Sequence, residues 1–464
     1  MNPVTLDQIC KWVDGEVIIR GTMDTIKRVT IDSRQVTKGS LFIPLKGERD
    51  DGHSFLCDAA ENGASASFAE MDIPLPEGLP DTMTIIGVKN CLNALQELSE
   101  NYRSQFSIPV IAITGSNGKT TTKDLIASVL SIKFNVLKNQ GNLNNHIGLP
   151  LTLLEMNRNH DCAVLEMGMS GIGEISLLSR IACPDIALII NVGWAHVEKL
   201  GSREKILEAK YEIVHGLKGP KTLVINGDDK SMIDYARELP TSIRVDKVGF
   251  STENSLIVMD MQDLQGKGVS FRTNKTGEYT FSISHPGLHH VVSGAFAVWI
   301  GIKYGMTEDE IQRGFSQFIP SGMRMEYMEI DRRTYINDAY NANPDSMKAA
   351  LQHLGSVRAN RRIAVLGNMY ELGEHTEKCH RSLADEWLRA GIDQLITLGD
   401  LASWTALEAL NQGVDSDRIY MADSIGQVVK RLLLITEPND VILIKGSRAM
   451  AMEKILVQLK EGDR

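Results

Sequence analysis

The chain has 464 residues, with 49 Lys and Arg against 59 Asp and Glu, a formal net charge of −10. At roughly 150 residues per domain, this length predicts about three domains. The hydrophobic share of 43% and the charged share of 23% are typical of a globular chain and exclude a disordered or fibrous one. The negative balance argues against general binding of nucleic acid or of an anionic membrane, because the surface as a whole repels phosphate. A local basic pocket for a small anion is still allowed.

No apolar run reaches the roughly 18 residues that a membrane-spanning helix needs. The longest candidate, 291–302, contains Ser293 and two glycines and predicts a buried helix. The first residues lack an apolar segment after a basic start, so export is not expected. The six cysteines include no Cys-x-x-Cys pair, which argues against a zinc site and a disulfide framework. We therefore expect a cytoplasmic protein without membrane insertion.

Short strand-like runs open the chain, at 28–31, 40–44 and 83–88, between short helices and acidic, proline-rich turns. They predict a small α/β domain over residues 1–88. A helical leucine pattern at 90–103 follows and connects this domain to the next.

Continuous apolar runs mark the middle of the chain. The first covers 108–113, and similar runs follow at 162–165, 186–192 and 222–225, with helical stretches between them. Such runs are typical of parallel strands that are buried on both faces. We predict a central α/β domain with a parallel sheet over residues 89–317.

A second alternating series begins near residue 318 and predicts a C-terminal Rossmann-like α/β domain over 318–464. Its strand-like runs are 334–336, 362–366, 394–398, 418–421 and 441–444. Several end in Gly or Asp, and open α/β sheets bind ligands at the carboxyl ends of their strands. The predicted fold class is thus α/β with three domains.

A phosphate-binding loop is the strongest motif. TGSNGKTTT, residues 114–122, stands between a predicted buried strand and a predicted helix. Glycines allow backbone N–H groups to face an anion, a lysine reaches the β- and γ-phosphates, and a hydroxyl can ligate Mg²⁺. The predicted nucleotide-binding residues are Gly115, Ser116, Asn117, Gly118, Lys119, Thr120 and Thr121. The loop is a shortened variant, because Ile113 stands where a strict motif has another glycine, and a simple strand-to-helix turn is the alternative.

The loop alone leaves an NTPase switch, a kinase and an ATP-driven ligase open. Further candidates are Glu166 and His196, which follow predicted strands, Lys210 in a predicted helix, and Asn145 in the asparagine-rich GNLNNHIGLP. Amide donors can bond phosphate or substrate oxygens. Taken alone, Glu166 is also explained as a strand cap, His196 as a structural histidine and Lys210 as a surface lysine. The asparagine-rich segment is also explained as an ordinary loop.

These motifs together, in this order, resemble the Mur ligase family over the whole chain. The matching segments are TIDSRQVTKGSLFIPLKGERDDGHSF, TGSNGKTTTK, GNLNNHIGLP, EMG, NVGWAH, GMRMEY, INDAYNANPDSM, LGNMYELG and IKGSRAM. INDAYNANPDSM, residues 336–347, is most specific to the branch that adds D-alanyl-D-alanine. The resemblance implies an ATP-dependent amide ligase that joins D-alanyl-D-alanine to UDP-N-acetylmuramoyl-tripeptide through an acyl phosphate, in peptidoglycan precursor synthesis.

The resemblance also implies roles for single residues. The catalytic residues are Lys119, His196, Lys210, Arg324 and Asp338, with Arg324 and Asp338 closing over ATP. The ligands of Mg²⁺ are Thr120, Glu166, His196 and Lys210, the last as a lysine carbamylated by CO₂. The uridine-nucleotide residues are Asp32, Ser33, Arg34, Asp51, Gly52 and His53. Tyr340, Asn341 and Asn343 line the ATP cleft or the dipeptide site. Lys445 and Arg448 are either anion contacts or solvated charges of a turn.

Six positions depart from the family pattern. His290 and Ser293 replace two asparagines that lie near the adenine, Asn368 replaces an aspartate, and Ser170-Gly171 replaces Asn-His. Trp194 is bulkier than the usual residue. These departures leave two alternatives: a paralogue that joins a different acid and amine, and a non-catalytic nucleotide-binding or scaffold protein. The sequence does not say whether the tripeptide ends in meso-diaminopimelate or L-lysine. We expect a monomer.

Overall fold

Three α/β units follow one another along the chain in the computed structural model, which describes residues 1–47, 50–264 and 267–461. Glu48 and Arg49, inside the first segment that carries the family resemblance, lie outside the described residues. Across the described chain, no helix combines the length and the apolar character that crossing a bilayer requires.

The first unit is a small mixed sheet with short helices. Its strands are β1 (Val4–Thr5), β2 (Glu16–Ile19), β3 (Thr25–Ile26), β4 (Arg28–Thr30), β5 (Ser40–Phe42), β6 (Ala66–Glu70) and β7 (Thr84–Val88). Its helices are α1 (Leu6–Trp12), α2 (Leu56–Glu61) and α3 (Cys91–Arg103). The sheet order is β2-β7-β6-β5-β4, with β2 antiparallel to β7 and the other neighbours parallel. Strands β1 and β3 pair separately.

The central unit is built on a long sheet in the order β16-β15-β14-β13-β12-β11-β8-β10-β9. Its strands are β8 (Val110–Thr114), β9 (Val136–Lys138), β10 (Cys162–Glu166), β11 (Ile186–Ile189), β12 (Thr222–Asn226), β13 (Arg244–Gly249), β14 (Leu256–Asp263), β15 (Val269–Thr273) and β16 (Phe281–Ile283). Its helices are α4 (Lys119–Leu130), α5 (Gly148–Leu154), α6 (Glu174–Ala182), α7 (Val197–Leu200), α8 (Arg203–Tyr211), α9 (Lys230–Ala236), α10 (His290–Lys303) and α11 (Glu308–Ser316).

The parallel part of this sheet agrees with the apolar runs of the sequence. Strand β8 lies between β10 and β11, and every residue of these three strands is buried. The edge of the sheet formed by β14, β15 and β16 differs from the predicted parallel arrangement, because β15 pairs antiparallel with both β14 and β16. Helix α10 covers this edge and packs on α4.

The C-terminal unit has the sheet order β17-β18-β22-β19-β20-β21. Its strands are β17 (Glu326–Ile330), β18 (Arg333–Asn337), β19 (Arg362–Gly367), β20 (Gln394–Leu398), β21 (Ile419–Ala422) and β22 (Val441–Lys445). Its helices are α12 (Pro344–Ser356), α13 (Thr376–Arg389), α14 (Ser403–Asn411), α15 (Ile425–Ile435) and α16 (Lys454–Glu461). All neighbours are parallel except the β17–β18 hairpin. The predicted α/β class is confirmed, whereas the domain boundaries at 88/89 and 317/318 stay predictions.

Helix α3 joins the first unit to the central one through a buried cation. The guanidinium of Arg103, 1% exposed, donates to the carbonyl oxygens of Ala182 at 3.0 Å, Phe106 at 2.6 Å and Ile108 at 3.2 Å. Burial lowers the pKa of Arg103. The side chain thereby fixes the end of α3 to α6 and to the approach to β8.

Candidate active site

The phosphate loop follows β8 directly and leads into α4. Gly118 has φ 75°, a left-handed conformation that favours glycine, and the helix begins at the next residue. The Lys119 ammonium donates to the Gly115 carbonyl oxygen at 2.8 Å, so the side chain folds back over the loop. Two backbone N–H groups of the loop, those of Ser116 and Asn117, donate to Asn191 Oδ1 at 3.0 and 2.9 Å. Asn191 thus fixes the loop from the end of β11.

Glu166 ends β10 and contacts the first turn of α4. Its Oε2 accepts a hydrogen bond from the Thr120 hydroxyl at 2.7 Å, and its Oε1 accepts one from the Asn144 amide at 2.7 Å. Asn139 bonds both the N–H and the carbonyl of Glu166, each at 3.0 Å. A hydroxyl and a carboxylate held together beside a phosphate loop are the oxygen donors that Mg²⁺ prefers. The two side chains therefore fit a magnesium site.

His196 lies between β11 and α7 in a left-handed conformation, φ 66°. Its Nδ1 is 2.6 Å from Glu371 Oε2 of the C-terminal unit, an ion-pair distance, and makes no hydrogen bond of regular geometry in the described part of the chain. The contact with His196 lowers the pKa of Glu371, so the carboxylate is anionic at neutral pH. Among the described residues, no three His, Cys, Asp or Glu side chains form a group that could hold a metal ion.

Lys210 lies on α8 and is 1% exposed. Within the described chain, its ammonium makes no ion pair and no hydrogen bond. Burial, and secondly the charge of Lys119, lower the pKa of Lys210 well below its usual value. A neutral amine is the form of lysine that reacts with CO₂, so the environment of Lys210 fits a carbamate. The side chain is not part of the wall of the cavity described below.

The C-terminal unit contributes a second group of polar side chains. The Arg324 guanidinium stacks 3.8 Å from the centre of the Tyr340 ring. Asp338, which follows β18, accepts from the Lys445 ammonium at 2.6 Å and from the Met325 N–H at 3.2 Å. Lys445 is thus the buried ion-pair partner of Asp338. Arg448, by contrast, pairs with Glu453 at the surface.

Two contacts bring the units together at the loop. The Asn343 amide donates to Asn117 Oδ1 at 2.6 Å, and the Trp194 N–H donates to Asp345 Oδ2 at 3.2 Å. Asn343 also caps α12. The N-terminus of α12 therefore lies beside the N-terminus of α4.

A histidine cluster replaces the expected amides at the start of α10. His290 is 4% exposed, and its ring centre is 4.2 Å from that of His285 and 4.0 Å from that of His289. Both ring nitrogens of His290 lack a partner among the described residues. Burial lowers the pKa of His285 to about 4, so its ring is neutral at pH 7. Ser293 accepts a hydrogen bond from the Thr122 hydroxyl at 3.0 Å.

A cavity of about 750 Å³ lies between the carboxyl ends of the central and C-terminal sheets. The predicted site residues that line it are Ser116, Asn117, Gly118, Lys119, Thr120, Thr121, Asn145, Glu166, His196, His290, Ser293, Arg324, Asp338, Tyr340, Asn341 and Asn343. Four further polar residues that were not predicted from the sequence also line this cavity: Asn144, Asn191, Arg203 and Asp345. Lys445, for which an anion contact was one of two predictions, lines it too. For Asn144 and Asn191 the motifs GNLNNHIGLP and NVGWAH gave a signal.

The predicted uridine-nucleotide residues lie apart from this cavity, in the first unit. Asp51 caps a short 3₁₀ helix at Gly52–Phe55, and its Oδ1 is 2.6 Å from Nδ1 of the buried His53. The Nε2 of that ring accepts the Glu70 N–H at 3.1 Å. Asp32 caps another 3₁₀ helix, Ser33–Gln35, and pairs with the exposed Arg34. Arg34 is thus the most accessible charge of this group.

Three family models match successive parts of the chain. They are "Mur ligase family, catalytic domain" at residues 25–103, "Mur ligase middle domain" at 113–299 and "Mur ligase, glutamate ligase domain" at 323–448. The UDP-N-acetylmuramoyl-tripeptide--D-alanyl-D-alanine ligase of Bacillus subtilis is 40% identical over 98% of each chain. The chain belongs to the Mur ligase family.

Further relatives of this family match over nearly the full length. The ligase of the same name from Escherichia coli is 33% identical over 99% of each chain. Among solved structures, MurF from Acinetobacter baumannii is similar with a TM-score of 0.90 and 28% identity over 99% of each chain. A MurF ligase from Thermotoga maritima in complex with ADP has a TM-score of 0.80 and 28% identity, over 94% of this chain and 97% of that one. The family resemblance and the α/β fold expected from the sequence are confirmed.

Proposed function

We propose that this Mur ligase uses ATP to join D-alanyl-D-alanine to UDP-N-acetylmuramoyl-tripeptide, a step of peptidoglycan precursor synthesis. The full-length identity of 40% to a ligase of that name supports this substrate pair. The single structural observation that carries the proposal is the cavity between two α/β units, in which a phosphate loop faces Arg324 and Asp338.

The first half-reaction activates the acid. The tripeptide carboxylate is ionised at neutral pH, so it needs positioning and charge neutralisation rather than a base. It attacks the γ-phosphorus of ATP, and ADP leaves to give an acyl phosphate. Lys119 holds the transferred phosphoryl group, and Arg324, stacked on Tyr340, adds positive charge from the opposite wall.

Mg²⁺ fits the side chains at this end of the cavity. Thr120 and Glu166 would hold one ion. His196 and Glu166 would hold a second together with Lys210, whose carbamate would reach the cavity from behind its wall. Bound there, Mg²⁺ neutralises the phosphate oxygens. As a carbamate, Lys210 would contribute an anionic ligand in addition to the carboxylate of Glu166.

The second half-reaction forms the amide bond. The dipeptide amine attacks the acyl carbon, and phosphate leaves through a tetrahedral intermediate. The contacts of Asn117 with Asn343 and of Trp194 with Asp345 close the cavity from the C-terminal side. Such closure protects an acyl phosphate from water.

An isotope experiment tests the acyl phosphate. Tripeptide substrate with ¹⁸O in the reacting carboxylate is incubated with ATP, Mg²⁺ and D-alanyl-D-alanine. One ¹⁸O atom should appear in the released phosphate, and the product should have the mass of the UDP-muramoyl pentapeptide. Phosphate without ¹⁸O would contradict the mechanism.

The uridine-nucleotide role of the first unit, the monomeric state and the cytoplasmic location stay predictions.

The departures at His290 and Ser293 favour one second candidate, a paralogue with other substrates. It predicts a folded, ATP-binding protein that neither the tripeptide nor the dipeptide stimulates. Screening other carboxylic acids and amines for ADP release distinguishes the two functions.

A further inference from the structure

A loop of the C-terminal unit contacts His196 of the central unit. The loop belongs to the LGNMYELG segment, residues 366–373, to which the proposed mechanism assigns no role. Glu371 Oε2 lies 2.6 Å from His196 Nδ1, and the Glu371 carbonyl oxygen accepts the Glu198 N–H at 3.2 Å. The Trp194 ring also packs edge-on against His375, with ring centres 5.5 Å apart. Both the side chain and the backbone of Glu371 therefore engage the segment that carries His196.

The backbone conformations on both sides of this contact are unusual. His196 has φ 66° and Glu371 has φ 63°, and neither is glycine. Left-handed backbone in non-glycine residues is uncommon and is retained where the surroundings require it. Here the two left-handed residues are the two that face each other across the boundary between the units.

The contact fixes which ring nitrogen of His196 is free. Glu371 Oε2 lies 2.6 Å from Nδ1, and a lone pair on Nδ1 would be repelled by the carboxylate at this distance, so the contact favours the tautomer with the proton on Nδ1 and the lone pair on Nε2. Ligand histidines in proteins are oriented in the same way by a carboxylate on the other nitrogen. Because Glu371 belongs to the C-terminal unit, this orientation exists only when the two units are in contact.

We propose that Glu371 is a positioning residue that makes His196 competent as a ligand only in the closed arrangement of the two units. The inference rests on the proposed function, since it assigns His196 to the cation that accompanies ATP. The reaction is thereby coupled to closure: in an open arrangement the imidazole loses both its fixed tautomer and its fixed direction.

The test compares Glu371→Ala, Glu371→Gln and the control Glu374→Gln. Glu374 directly follows that loop, its carboxylate is 87% exposed, and its one ion pair among the described residues is a 3.8 Å contact with His375. Calorimetry measures binding of the ATP analogue AMPPNP, with UDP-muramoyl tripeptide present, as a function of Mg²⁺ concentration and also in EDTA. Small-angle scattering measures closure under the same conditions.

Glu371→Ala should raise the Mg²⁺ concentration for half-maximal binding by about 10–100-fold. It should also leave the scattering radius larger than in wild type, and it should not change AMPPNP binding in EDTA. The Mg²⁺ concentration for half-maximal binding by Glu371→Gln should lie between those of wild type and Glu371→Ala, because the glutamine amide oxygen can still face the Nδ1 proton. Glu374→Gln should match wild type.

Equal Mg²⁺ dependence of Glu371→Ala and Glu374→Gln would overturn the proposal, and so would an equal loss of binding with and without Mg²⁺. Pentapeptide formation by the wild type is measured in parallel. A wild type that ligates while Glu371→Ala behaves normally contradicts only this inference. A wild type that does not ligate, beside a clear Mg²⁺ shift in Glu371→Ala, contradicts only the proposed substrates.

Discussion

Replacing Lys210 by methionine should change stability and activity in opposite directions. Lys210 is 1% exposed, and its amine has no partner in the described chain. An unsatisfied buried polar group costs about 1–3 kcal/mol, and methionine fills a similar volume without a polar atom. Without CO₂, we expect Lys210→Met to raise the free energy of unfolding by about 1–2 kcal/mol. Turnover should fall by about 10²–10³-fold, the effect of removing one charged stabilising group.

Urea unfolding in CO₂-free buffer measures the first effect, and phosphate release at saturating substrates measures the second. The matched control is Lys205→Met on the same helix, where the lysine is 53% exposed and pairs with Glu208. Lys205→Met should change the free energy of unfolding by no more than about 0.5 kcal/mol and turnover by no more than about twofold. In wild type, a carbamate carbon signal should appear by NMR with ¹³C-bicarbonate. Turnover of Lys210→Met within about twofold of wild type would refute the carbamate reasoning.

Three further predictions concern stability and the nucleotide. Arg103→Met removes the charged donor from three carbonyl oxygens, one buried and two part-buried, and should lower the free energy of unfolding by about 3–5 kcal/mol in urea. A loss below about 1 kcal/mol would contradict the role of Arg103 in fixing α3 to the central unit. The unfolded chain protonates His285 near pH 6.5, whereas the folded chain does so only near pH 4, so stability should fall on acidification between these values. His285→Phe should remove about 2 kcal/mol of the loss between pH 7 and pH 4.5, and an unchanged pH profile would exclude this cause. His290→Asn with Ser293→Asn should lower the KM for ATP about fivefold, the worth of one hydrogen bond; an unchanged KM would show that the adenine is held elsewhere.

Local sequence patterns predicted the parts of the fold that depend on local chemistry. The apolar run 108–113 corresponds to β8, and the glycine-rich loop after it leads into α4, as predicted. Continuous apolar runs are a strong signal because parallel strands are buried on both faces. Strands β15 and β16 were not predicted because both are short and contain polar residues, Ser270 and Ser282, so neither forms a continuous apolar run.

The pairing of residues that are distant in sequence was not predictable. Asn191 accepts hydrogen bonds from Asn117 and Ser116 of the phosphate loop, which stand 74 and 75 positions earlier in the chain. Glu371 of the C-terminal unit contacts His196 of the central unit. Neither residue has a local pattern that names its partner. The burial of Lys210 was equally hidden, since its helix contains several charged residues and predicts an exposed face. Family resemblance pointed to Lys210, and the structure adds that burial lowers the pKa of its amine well below the usual value.

Release of phosphate from ATP and Mg²⁺ tests the central claim most directly. The protein is supplied with UDP-muramoyl tripeptide, with D-alanyl-D-alanine, with both, or with neither, and the products are identified by mass. Sustained release is expected only when both substrates are present, with one UDP-muramoyl pentapeptide formed for each phosphate. A folded protein that binds ATP and releases no phosphate with both substrates would contradict the proposed ligase activity.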